Sequence, residues 1–199
     1  MHKQLIGTLA LAAALALPQA AQAAVLTGTS GPAANTVADY SGAGLASFDL
    51  DLATFAPTTL RFRLEDADLA GPLAFNALVR NVAGAALNEF SVALNGIAFL
   101  AAGSVTPAYG TVGAVDHGAR TANVAFSAPE WAEFQFGNAL GTPGAANWLL
   151  DTAGLRAGDT FTITAAMARA AEVPEPSSAV LVMSALALLG LTAAKRKRG

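Results

Sequence analysis

Phe90-Ser91-Val92-Ala93-Leu94-Asn95-Gly96-Ile97-Ala98-Phe99-Leu100-Ala101 is the stretch on which the fold reading turns. Phe90, Val92 and Leu94 alternate with Ser91, Ala93 and Asn95, and Ile97, Phe99 and Ala101 take up the same spacing after the glycine. Period two is the mark of a strand with one buried face. Asn-Gly suits a two-residue type I′ turn, because both central positions need positive φ. The expected hairpin pairs Leu94 with Ile97, Val92 with Phe99 and Phe90 with Ala101. All six side chains then share one face, so turn chemistry and burial agree on one register.

The same pattern recurs outward from this point. Phe48, Leu50 and Leu52 alternate with Asp49 and Asp51, and Leu60, Phe62 and Leu64 with Arg61, Arg63 and Glu65. As a hairpin centred near Ala56, these runs set Asp51 opposite Arg61 and Asp49 opposite Arg63, each pair contributing about 0.2–1 kcal/mol. Further strands are expected at 75–82, 121–127, 131–136 and 160–167, with another at 147–151. Seven to nine short strands between frequent turn signals predict an all-β body, a single jelly-roll-like β-sandwich. Residues 24–40 read as a small-residue N-terminal segment. The Ala-rich stretch 81–87 is compatible with a helical turn, and 169–178 reads as a linker stiffened by two prolines.

The two ends of the chain have a different character. His2 and Lys3 precede an apolar stretch from Leu5 to Leu17; Pro18 breaks it, and Ala21-Gln22-Ala23 supplies small residues at a cleavage site. Residues 1–23 therefore read as a secretory signal, cut by signal peptidase between Ala23 and Ala24. At the other end, Val173-Pro174-Glu175-Pro176 precedes an uncharged apolar run, Ser177 to Ala194, and then Lys195-Arg196-Lys197-Arg198. Proline can neither continue a helix nor leave the residue before it free to do so, so 173–176 is expected to be extended and accessible. Eighteen residues at 1.5 Å each give a helix of about 27 Å, close to a bilayer core of ~30 Å. Four cations after that span place them in the cytoplasm and the body outside, in agreement with the signal peptide.

This tripartite tail at 173–199 resembles the PEP-CTERM sorting signal of Gram-negative bacteria. The resemblance implies export across the inner membrane and transient anchoring there. It also implies processing near Pro174-Glu175-Pro176 by exosortase and delivery to the cell surface or the exopolysaccharide matrix of a biofilm. It does not extend to 24–172.

That body carries six arginines against thirteen acids, a net charge of −7, and no lysine. Such a surface argues against nucleic acid and anionic lipid as partners. The chain has no cysteine, which excludes thiol chemistry and leaves the core alone to hold the fold. About 149 residues suffice for one domain that buries ~70% of its unfolded surface.

Candidate chemistry is sparse. His117, in Asp116-His117-Gly118, reads as an exposed loop residue, and no G-x-S-x-G elbow accompanies it. Glu65-Asp66-Ala67-Asp68 places three carboxylates in an expected loop. Asp49 and Asp51 join them if the hairpin forms, a set of hard oxygens suited to calcium. The alternative for these acids is a solvated turn paired with arginine, and zinc lacks the His and Cys it needs. Thr160, Thr162 and Thr164 share one strand face, as in a flat ice-binding array, but the plain reading is the polar face of an edge or surface strand. Trp131, Phe134, Phe136 and Trp148 suit either a sugar site or the core, with Trp131 facing away from Phe134 and Phe136. Gly42-Ala43-Gly44 lacks the third glycine of a phosphate loop. The expectation is a non-enzymatic surface or matrix protein with no cofactor. The alternatives are a secreted carbohydrate-active enzyme using carboxylates such as Glu65 and Asp66, or a permanently anchored single-pass protein.

Overall fold

A computed structural model describes residues 24–169. Its strands are β1 (Val25–Ser30), β2 (Thr36–Asp39), β3 (Leu45–Leu52) and β4 (Thr58–Arg63), followed by a single 3-10 turn at Asp66–Leu69. Then come β5 (Leu73–Asn81), β6 (Leu87–Asn95), β7 (Ala98–Ala101), β8 (Val105–Pro107) and β9 (Thr111–His117). The last four are β10 (Thr121–Glu130), β11 (Glu133–Phe136), β12 (Trp148–Asp151) and β13 (Thr160–Arg169). There is no α-helix among the described residues.

The strands divide into two sheets, as a sandwich requires. One runs β1-β4-β13-β6-β10-β9. The other runs β2-β3-β5-β11-β8, with β12 bridging β5 to β7. Pairs are antiparallel except β3 with β5, which align in parallel from Leu45↔Ala74 to Leu52↔Asn81. A jelly roll is antiparallel throughout, so that pair departs from the expected pattern.

Alternation explains which side chains meet between the sheets. Leu60 and Phe62 of β4, Phe90 and Val92 of β6, Val124 of β10, and Phe161 and Ile163 of β13 are buried on the first sheet. Leu50, Phe75, Val79, Phe134, Phe136, Trp148 and Leu150 are buried on the second. Rings join the two layers: Phe48 lies 6.2 Å from Phe62, and Phe90 lies 4.8 Å from Phe134, edge to face. Trp148 stacks on Phe136 at 4.4 Å, 7° from parallel. Each fully buried Phe or Leu contributes about 1.5–3 kcal/mol. A core of this size holds the sandwich without disulfides.

Both expected hairpins are overturned. β6 pairs with β10 and β13, while β7 pairs with β12 in the other sheet. The Asn95-Gly96 step therefore carries the chain across the core. Gly96 has φ of +85° and no non-glycine residue has positive φ among the described residues, Asn95 included, so the type I′ turn, which needs both, is not made. Gly96 is needed for room as well, since a Cβ there would sit 2.8 Å from the Thr160 carbonyl oxygen. Burial of Phe90, Val92, Leu94, Ile97 and Phe99 stands, but they face one another from opposite sheets rather than along one. Likewise β3 and β4 lie in different sheets, so Asp49 and Asp51 do not meet Arg61 and Arg63.

Residues 24–40, the small-residue N-terminal segment, hold β1 and β2, each at the edge of its sheet and mostly exposed. The 81–87 stretch bends without a helical turn, and the 3-10 turn falls instead in the acidic segment 66–69. β13 is not an edge: it sits between β4 and β6, with the Thr164 hydroxyl 2.8 Å from that of Thr59.

Candidate functional site

Three arrangements in the body hold polar chemistry. The first is the outer face of the six-stranded sheet. Register aligns Asp116, Asn123, Ser91 and Ala166 in one row across β9, β10, β6 and β13, and Ala114, Ala125, Glu89 and Ala168 in the next. Short side chains on the central strands leave an open groove of about 350 Å³ over these rows. Glu89, Asp116 and Asn123 are exposed.

The second is a charge cluster on the outer face of the other sheet. Arg80 of β5 meets Asp49 at 2.7 Å, Asp51 at 3.0 Å and Glu133 at 3.5 Å. Parallel pairing produces it, because Asp51 is the direct neighbour of Arg80 and Asp49 is two residues away on the same face. Hydrogen bonds to Asp49 and Asp51 raise the Arg80 pKa above its ordinary value.

The third is Glu130, fully buried at the end of β10. One carboxylate oxygen accepts the backbone N–H groups of Tyr109 (2.9 Å) and Gly110 (2.8 Å). The other accepts those of Trp131 (2.9 Å) and Ala132 (2.8 Å). Burial alone pushes this carboxyl up, and the four donors more than reverse that, so its pKa lies below the usual carboxylate range. The loop before β9 and the link from β10 to β11 are thereby clasped to one side chain. Beside them, the Asn81 N–H donates to the Ala132 carbonyl at 2.6 Å.

The expected residues distribute as follows. Asp68 is buried and structural: it accepts N–H groups from Gly44 at 3.0 Å and Glu65 at 2.9 Å. Glu65 pairs with Arg63 at 2.8 Å. With Asp49 and Asp51 held by Arg80, the proposed calcium set is not brought together. No group of three or more His, Asp or Glu suited to a metal ion occurs among the described residues. His117 ends β9 rather than lying in a loop, its ring 5.8 Å from that of Trp148, edge to face. Phe134, Phe136 and Trp148 are core, whereas Trp131 is 57% exposed. Sequence reasoning missed Glu130 and the 79%-exposed Tyr109, because their link joins residues twenty-one positions apart.

Ala24 precedes β1. Ala23, Pro174, Glu175, Pro176 and Lys195, Arg196, Lys197 and Arg198 lie outside the described residues, as does the expected span 177–194. Among the described residues no helix is long and apolar enough to cross a membrane.

No curated protein and no solved structure matches the chain. One family model does, over residues 172–198, and its description is the PEP-CTERM protein-sorting motif. The match supports a chain targeted to exosortase, exported and processed at the membrane on its way to the cell surface. The protein carries a PEP-CTERM sorting motif behind an all-β, two-sheet body.

Proposed function

We propose that the chain is an exported surface or matrix protein with a non-enzymatic binding, adhesion or structural role in an exopolysaccharide layer. Exosortase releases it from its membrane tail, after signal peptidase has removed 1–23. The observation that carries this reading is the sorting motif at 172–198, set after a folded unit whose last strand ends at Arg169. Both sheets and the aromatic core fall within 24–169. A cut at or beyond Pro174 therefore removes no described strand and no described core residue. Engagement of Asp68, Glu65, Asp49 and Asp51 in structural bonds favours binding over turnover.

The test is the double substitution Pro174→Ala with Glu175→Ala, followed by membrane fractionation. Unprocessed protein with an unchanged sandwich is expected to accumulate in the inner membrane. Release at the normal level would overturn recognition of the motif.

A further inference from the structure

The clasp at Glu130 does more than close a loop. It fixes the backbone under two exposed aromatic side chains, Tyr109 at 79% and Trp131 at 57%. Their nitrogens lie 2.9 Å from the two oxygens of one carboxylate, so they are at most about 8 Å apart. Val82, 59% exposed, follows the Asn81 bond to Ala132 and edges the same place. Gly110 makes the seat tight: a Cβ there would meet the Ala128 carbonyl oxygen at 2.9 Å and the Glu130 backbone at 3.1 Å.

A backbone held this firmly needs no ordering when a ligand arrives, which removes one part of the cost of binding. The size and charge of the patch select the ligand. At those exposures the two rings offer roughly 300 Å², well short of the ~800 Å² per partner of a stable protein interface. No lysine or arginine belongs to the clasp, and the body is strongly acidic, so anionic polymers and lipid surfaces are disfavoured. A flat, neutral, hydroxyl-bearing ligand remains. Aromatic faces pack against the C–H face of a sugar ring, while the Tyr O–H and Trp N–H can bond its hydroxyls.

We propose that Tyr109 and Trp131, edged by Val82, form a stacking platform for one or two pyranose rings of a neutral polysaccharide. This names a ligand class for the matrix role above, and it rests on that reading only for the source of the ligand.

The chain has two tryptophans, and Trp148 is fully buried. Acrylamide quenching of native fluorescence therefore reports on Trp131. Protein purified from cells expressing the full chain is titrated with dextran, a neutral β-glucan and anionic alginate. Saturable protection by a neutral polymer is expected. Tyr109→Ala should weaken it by roughly tenfold. Trp131→Ala, read by retardation in gels containing the same polymer, should abolish binding, with the thermal midpoint of both variants unchanged. Undiminished retardation of both variants would place glycan binding elsewhere and overturn the platform while leaving the matrix role standing. No protection by any neutral polymer would overturn the platform and its ligand, without bearing on sorting. Tighter binding of alginate or of anionic vesicles would overturn the charge argument.

Discussion

Glu130 and Arg80 are two charged centres of the sandwich, and they are built in opposite ways. Glu130 is sealed from solvent and makes no ion pair among the described residues; its charge is balanced by four backbone dipoles. Arg80 stands among three carboxylates on an open sheet face, with over a third of its side chain exposed. The first arrangement exposes almost nothing of its carboxylate to salt or water, and its loss leaves four N–H groups without their acceptor. The second is screened from the start, and side-chain entropy offsets much of its attraction. Burial, rather than the number of partners, decides what each charge is worth to the fold.

Substitution should separate them clearly. Glu130→Ala strands four partly buried N–H groups and is expected to cost about 3 kcal/mol. That corresponds to a fall in thermal midpoint of roughly 10 °C, measured by calorimetry. A loss as small as that of a surface pair would show that water replaces the carboxylate freely. The pH dependence comes next. The unfolded glutamate takes up a proton near pH 4.3, whereas the folded one, its pKa depressed, resists. Its stabilisation is therefore present above about pH 4.3 and lost as pH falls through the lower folded value. Urea midpoints between pH 3 and 6 should slope for the native protein and flatten for Glu130→Gln. Arg80 has the opposite sign, since a raised cation pKa supports stability below the unfolded value. Arginine titrates far above this range whether folded or unfolded, so it adds no slope here. The smallest effect is Arg80→Ala, about 1 kcal/mol and shrinking with added salt, because Asp49, Asp51 and Glu133 are left facing one another in partial solvent. Salt-independent loss of several kcal/mol would make that cluster a core element and erase the distinction.

The sequence revealed strands better than it revealed their partners. Alternation in 48–52, 60–64 and 90–94 marked buried faces correctly, because pleating obliges every second residue to point inward. It could not show which sheet a strand joins. Asn95-Gly96 and the turn near Ala56 both looked like hairpins, yet both cross between layers, where turn chemistry is the same and only three-dimensional packing differs. β1 and β2 escaped notice because edge strands with mostly exposed side chains leave no hydrophobic pattern. Arg80 was missed as the partner of Asp49 and Asp51 because parallel pairing of β3 with β5 joins residues about thirty positions apart. The Glu130 clasp depends on four N–H groups from two loops converging, which no local pattern announces. Trp131 was correctly set apart from Phe134 and Phe136 by strand parity alone. The sorting motif, by contrast, is a linear signal, and the resemblance read at 173–199 agrees with the family model matched at 172–198.

The central claim is that the sandwich ends before the motif and the tail is surrendered there. Intact-mass analysis of the protein released by its native cells tests this most directly. The predicted species begins at Ala24, lacks everything beyond the Pro174–Pro176 region, and retains its cooperative thermal transition. Recovery of a chain still carrying Lys195 to Arg198 would contradict the account.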